Sequence, residues 1–135
     1  ERRITLSELI SRQVNEYADR FGIRRESHVG EGQAIPARVS VEMLRILQEA
    51  LNNVRKHAAA RHVVVRVERR RASIDLSVRD DGVGFDPTVK TGGYGQQSMH
   101  ERAQSFGARL PTASVAGRGT TMILRVPVSQ LVSQR

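Results

Sequence analysis

Two strand-like runs stand back to back along this chain with only a charged turn between them, and that limits the fold more than any other feature. "HVVVRVERR" (62–70) and "ASIDLSVRD" (72–80) are rich in β-branched residues, and the second alternates Ile74, Leu76 and Val78 with Ser73, Asp75 and Ser77. Arg69-Arg70-Arg71 falls at their junction and reads as a solvated hairpin tip. A second pair, "ARLPTASV" and "TTMILRVPV", is joined by the tight "AGRG" turn (116–119). Consecutive strands imply antiparallel hairpins, so the strict strand–helix alternation of a doubly wound parallel sheet is excluded.

Three helical runs surround these strands. Leu6, Leu9, Ile10, Val14, Tyr17 and Phe21 recur at helical spacing over residues 1–20, with Thr5 or Ser7 as cap and Gly22 as terminator. "IRRESHVGEGQAIP" reads as a short strand and a polar loop ending at Pro36. "SVEMLRILQEALNNVRKHAAA" (40–60) is uninterrupted by Gly or Pro, with Ser40 as expected N-cap. "QQSMHERAQSF" (96–106) forms the third helix, stopped by Gly107. The order predicts one α/β two-layer sandwich over residues 1–135, a mixed, mostly antiparallel sheet covered on one face by about three helices. Residues 129–135 read as a patternless tail, and the start at Glu1 rather than Met leads us to expect a fragment of a longer protein.

Composition narrows the function classes. There is no cysteine, which excludes disulfides and thiolate metal sites, and no run approaches the roughly 20 apolar residues of a membrane span. The net charge of +8 invites a nucleic-acid reading, yet 20 of the 22 basic residues are arginines scattered along the chain. Three Phe and two Tyr form no interleaved basic–aromatic pattern for stacking bases. An anionic ligand accounts for the charge equally well. His28, His62 and His100 lack ligand-like spacing and read as surface or packing residues, Met99 and Met122 as core, and Arg118 as a solvated turn residue.

On the central helix, with Leu51 as reference, Leu44, Leu47, Val54 and Ala58 share one side, whereas Glu49, Asn53 and Lys56 fall opposite within about 60° of one another. Two readings stand side by side: a plain solvent face, or a carboxylate, an amide oxygen and an ammonium gathered to hold a hard cation and a phosphate. Ile46 beside them suggests a partly covered face.

Between residues 78 and 103, "VRDDGVGFDPTVKTGGYGQQSMHERA" places Gly82, Gly84, Gly92, Gly93 and Gly95 between a strand and a helix. Asp80 ends an alternating strand as an acceptor, and Gly82 and Gly84 let a flat ligand approach bare backbone; an ordinary Asp-Gly turn is the simpler alternative. The later glycines lead into a helix N-terminus, whose free N–H groups attract phosphate. Neither the P-loop nor the dinucleotide fingerprint is present.

"QEALNNVRKHA" (48–58), "DDGVGFD" (80–86), "GYGQQSMHERA" (93–103) and "GRGTT" (117–121) together resemble, in order and spacing, the N, G1, G2 and final glycine boxes of the GHKL ATPases. The wording is most similar to the ATP-binding catalytic domain of bacterial sensor histidine kinases, in the nitrate-sensor and DesK-like subfamily, and the resemblance spans roughly residues 5–128. It implies a Bergerat fold binding ATP and Mg²⁺, with transfer of the γ-phosphoryl group to a histidine on an upstream dimerisation domain. It also implies a NarL-type response regulator as partner, no nucleic acid, a homodimeric full-length protein with a monomeric fragment, and a cytoplasmic location with membrane anchoring of the full-length protein left open.

The resemblance assigns roles position by position. Glu49 would orient or deprotonate the attacking group, Asn53 would ligate Mg²⁺, and Lys56 and His57 would contact the phosphates, with Asn52 beside them in the nucleotide site. Asp80 would accept the adenine amino hydrogen, Gly82 and Gly84 would shape the base pocket, and Thr120 would complete it. Gly93 and Gly95 would hinge a lid that includes Tyr94 and Gln96. Three positions depart from the family pattern: Gln96 where Leu is usual, Ser98 where Gly is frequent, and Ala116 in place of Pro, so a different lid closure is expected. Two other classes compete with this reading: a GHKL-fold regulatory module without kinase activity, and a basic nucleic-acid-binding domain.

Overall fold

Thr5 opens the first helix by accepting a hydrogen bond from the Glu8 amide at 3.2 Å, in a computed structural model that describes residues 5–30, 35–83, 94–115 and 117–131. The helix, α1 (Leu6–Phe21), ends where Gly22 turns left-handed at φ 66°. Ser7, the other candidate cap, instead donates to the Gly30 carbonyl at 2.6 Å. Ile10, Val14, Tyr17 and Ala18 recur at helical spacing and are buried.

Strand β1 (Arg24–Val29) follows, and then α2 (Ala37–Asn53). Pro36, not Ser40, caps α2: its carbonyl accepts the amides of both Val39 and Ser40 at 3.0 Å, which places Ser40 inside the first turn. The proline ring sets φ at −56° and needs no donor, so the helix starts before the first polar cap candidate. Nor does α2 run straight to Ala60. Beyond Asn53 it widens into a π-helical turn (Val54–Ala58) that closes at Ala59, a non-glycine residue with φ 50°.

The remaining elements are β2 (His62–Arg69), β3 (Ser73–Asp80), α3 (Tyr94–Ser105), β4 (Thr112–Val115), β5 (Gly119–Pro127) and a 3-10 turn (Val128–Leu131). Residues 129–131 of the expected tail are thus ordered into that turn. The sheet order is β1-β2-β3-β5-β4, with β1 and β2 parallel and every other pair antiparallel. This is the mixed, mostly antiparallel sheet of a two-layer sandwich.

Alternate residues of the central strands face the helices: Val63, Val65 and Val67, then Ile74, Leu76 and Val78, then Met122, Leu124 and Val126, all buried. They meet Met43, Ile46, Leu47 and Leu51 of α2, Ile10 and Val14 of α1, and Met99, Ala103 and Phe106 of the third helical segment. Each fully buried aliphatic side chain contributes roughly 1.5–3 kcal/mol of transfer free energy.

The opposite face of β3 is less wet than simple alternation implies. Ser73 and Asp75 are both buried. The Ser73 hydroxyl donates to Asp75 at 2.8 Å, the Arg125 guanidinium donates to the same carboxylate at 3.1–3.3 Å, and Arg70 reaches it at 2.9 Å. Long arginine stems cover the carboxylate while satisfying its lone pairs. The arginine-rich hairpin tip is therefore partly tied down and not uniformly solvated.

Candidate functional site

Two adjacent carboxylates close β3 and lie in opposite environments. Asp80 continues the period-2 series of Leu76 and Val78, so its side chain falls on the helix-covered face and is buried. The Gly82 amide donates to Asp80 Oδ1 at 2.8 Å, and the Thr120 backbone also bonds this carboxylate. Burial raises its pKa above the ordinary carboxylate value; Gly82 and Thr120 offset that only in part, and neighbouring Asp81 pushes it further up.

Asp81 is exposed, and its Oδ1 accepts the amides of Arg61 at 2.8 Å and His62 at 2.9 Å. Burial works against its ionisation slightly. The His62 and Arg61 amides, its own amide and the His62 side chain outweigh this and hold it below the usual range. Asp81 thus fastens the start of β2, leaving Asp80 as the inward-facing acceptor.

Gly119 keeps this corner closed. At φ 89° it brings the start of β5 against the Asp80 carbonyl, where a Cβ would sit far inside van der Waals contact. Thr120 follows, half-buried and paired in register with Asp80. Gly119 was not singled out from the sequence, although the "GRGTT" run marked its neighbourhood. Gly117 donates its amide to the Val83 carbonyl and so tethers the loop after β3 to the β4–β5 turn.

The polar face of α2 flanks α3. Glu42, Ile46, Glu49 and Asn53 form one stripe along the helix, and Glu42 is bound to Arg102 of α3 at 3.3 Å. Ile46 is fully buried, whereas Glu49 and Asn53 are half-buried, one turn apart. The face is therefore partly covered. Lys56 lies exposed in the π-helical turn, whose backbone also includes His57. That wider turn rotates Lys56 relative to the regular 100° wheel. Asn52 lines the cleft between α1 and α2.

Gly82 is buried beside Asp80. Tyr94, Gly95 and Gln96 form the first turn of α3, where backbone N–H groups lack partners within the helix. Gly95 is thus helical. Gly84 and Gly93, and with them the centre of the expected lid, lie outside the described residues, as does Ala116.

Sequence reasoning also missed Tyr17. Its hydroxyl is buried with no hydrogen-bond partner among the described residues. Burial pushes its pKa up to about 12; Arg55 lowers it and Asp80 raises it, which puts the phenol in the same electrostatic neighbourhood. Only folding brings a residue of α1 to the end of β3.

The chemistry available is specific. A buried carboxylate among backbone amides can accept an N–H from a flat heterocycle, and two half-buried oxygen donors one turn apart suit a hard cation. Among the described residues no three His, Asp or Glu side chains converge into a metal cage. Mg²⁺ is commonly held by one or two protein oxygens plus substrate phosphates, so Glu49 and Asn53 fit that ion better than a closed structural site would.

Residues 38–130 match the family described as histidine kinase-, DNA gyrase B-, and HSP90-like ATPase. The chain is 33% identical over 135 residues to the signal transduction histidine-protein kinase/phosphatase DegS of Brevibacillus brevis, covering 95% of this chain and 35% of that protein. It is 32% identical over 93 residues to the nitrate/nitrite sensor protein NarX of Escherichia coli K12, covering 67% of this chain and 16% of that one. The histidine kinase domain of the Erythrobacter litoralis EL346 blue-light activated kinase superposes with a TM-score of 0.81 at 21% identity, over 98% of this chain and 67% of that one. The chain thus spans about a third or less of these curated relatives. Among the described residues no helix is long and apolar enough to cross a membrane.

Proposed function

The chain belongs to the histidine kinase-, DNA gyrase B- and HSP90-like ATPase family, and from that premise we propose that it is the ATP-binding catalytic domain of a two-component sensor histidine kinase. It would deliver the γ-phosphoryl group of ATP to a histidine on a separate dimerising helical domain. The observation that carries this reading is Asp80, a buried carboxylate at a strand end, bonded only partly by backbone and bordered by Gly82.

In this mechanism Asp80 would accept the adenine amino hydrogen, which selects the base, with Gly82 and Thr120 beside it and Gly84 assigned to the same pocket. Lys56 and His57 meet the phosphates from the π-helical turn, with Asn52 flanking them. The first-turn amides of α3, around Tyr94, Gly95 and Gln96, would also contact the phosphates, with Gly93 assigned to the same group. Asn53 would hold Mg²⁺, which when bound neutralises phosphate charge. Glu49, one turn earlier, would accept a proton from the attacking imidazole or orient it. Phosphoryl transfer depends mainly on positioning and charge stabilisation, and this set of groups supplies both.

In the full protein we assign a NarL-type response regulator as downstream partner, a homodimer as the working assembly and the cytoplasm as the location of this domain.

Titration with a fluorescent ATP analogue, with and without Mg²⁺, tests the reading. Saturable, metal-dependent binding is expected. Strongly salt-dependent DNA binding without nucleotide binding would replace it with the nucleic-acid alternative. In a longer chain carrying the acceptor domain, Asn53→Ala should abolish the metal dependence. Glu49→Gln should keep Mg-ATP binding while slowing transfer by about 10²–10⁴.

A further inference from the structure

The arginines of this chain are not all alike. Arg25, Arg45, Arg70, Arg102 and Arg125 each have a carboxylate within 2.9–3.8 Å. Arg12, Arg20 and Arg55 have none among the described residues, yet all three border one cleft of about 560 Å³ between α1 and α2. Leu9, Leu44 and Leu51 also line it, and they give it an apolar part.

The guanidinium groups at its end are held in place. Arg20 and Arg55 lie 5.4 Å and 4.9 Å from the centroid of the Phe21 ring, itself 38% exposed. One aromatic side chain therefore holds two like charges at the surface. Glu16, midway between Arg12 and Arg20 on α1, also lines the cleft and pairs with neither. The lining keeps a surplus of positive charge that nothing on its own surface neutralises.

We infer that the α1–α2 cleft is a docking site for an acidic amphipathic helix of a protein partner, its apolar ridge against the half-buried Leu9 and Leu44 and its carboxylates against Arg12, Arg20 and Arg55. Charge complementarity and shape select this occupant. A concave groove containing leucines receives the ridge of a helix, whereas a flat lipid surface would not enter it. A nucleic-acid strand would find no row of exposed aromatic rings to stack its bases, since Tyr17 is buried and Phe21 is engaged by Arg20 and Arg55. Arginine beside exposed aromatic surface is also the composition that anchors protein interfaces. Asn52 and Tyr17 also line the cleft, but Asp80, Glu49 and Asn53 do not.

The test uses the 135-residue chain and a fluorescein-labelled synthetic helix with leucines on one face and glutamates flanking them. Its controls are a scrambled peptide of the same composition and phosphatidylserine/phosphatidylcholine vesicles. The amphipathic peptide should bind about tenfold more tightly than the scramble, and Arg12→Gln with Arg20→Gln should remove about that factor. Amide chemical-shift changes should cluster at residues 9–21 and 44–55. ATP-analogue binding should be unchanged in the double variant, so docking and nucleotide binding fail independently. Equal binding of the scramble, preference for the vesicles, an unaffected double variant or a footprint centred on residues 80–83 would each overturn the assignment. Thermal melts of the variant establish that it is folded, and the single Arg12→Gln replaces it if it is not.

Discussion

Gly119 and Asp80, thirty-nine positions apart, are packed backbone to backbone: the carbonyl of Asp80 occupies the space that any side chain on Gly119 would need. The left-handed φ of 89° adds a second reason for glycine there. The contact ties the Asp80 end of β3 to the strand that carries Thr120.

Gly119→Ala should therefore be far more damaging than Gly117→Ala. Gly117 also has positive φ, but a Cβ there meets open space. Thermal melts should show a loss of about 1 kcal/mol for the Gly117 variant. For Gly119→Ala we expect roughly 2–4 kcal/mol, because backbone must move as well. Equal melting temperatures would show that the close approach relaxes without cost.

Asp80→Asn should weaken ATP binding by roughly ten- to a hundredfold, the cost of losing a charge-assisted hydrogen bond. It should not destabilise the fold at neutral pH. Because the folded pKa lies above the unfolded one, Asp80 favours folding only at low pH, and that contribution is lost as pH rises through the raised value. Nucleotide titration and urea unfolding at pH about 7 check both halves. A folded variant with unchanged affinity would remove Asp80 from the site.

Asp81→Ala should behave in the opposite way. It removes the acceptor of two strand amides, at Arg61 and His62. The expected loss is about 1–2 kcal/mol, reduced from the buried-bond value by exposure. The folded pKa is depressed, so the wild-type advantage is present above the ordinary carboxylate value and disappears as pH falls through the lowered one. Urea midpoints of both proteins, measured from neutral pH down to about 3, should converge.

Tyr17→Phe removes a buried hydroxyl that has no partner among the described residues. At neutral pH the variant should be as stable as wild type, or more stable by about 1 kcal/mol. The phenol titrates near its ordinary value of 10.0 when unfolded and at about 12 when folded. Folding therefore favours the neutral form, and wild type loses stability as pH rises between those values. By pH about 11 the gap to the phenylalanine variant should widen by roughly 1 kcal/mol. A gap independent of pH would place the hydroxyl in contact with water.

How much of this was legible beforehand depends on the range of the interaction involved. Periodicity located the helices and strands because it records local alternation of burial, and four boxes in order, three of them with glycine, pointed to Asp80 and the Glu49–Asn53 stripe as candidates. The start of α2 was misplaced at Ser40 because a proline cap carries no side-chain acceptor. Asp80 and Asp81 are identical in sequence terms, yet one is buried and the other exposed. That distinction is made by Gly119 and Thr120 of β5 and by the amides that open β2, all remote in the chain. Asn52 and Asn53 differ likewise, one lining the α1 cleft and the other on the stripe that flanks α3. Desolvation is set by neighbours in space, so candidate residues could be named along the chain, whereas their charge state, exposure and pairing were decided only when the sheet and helices closed on one another.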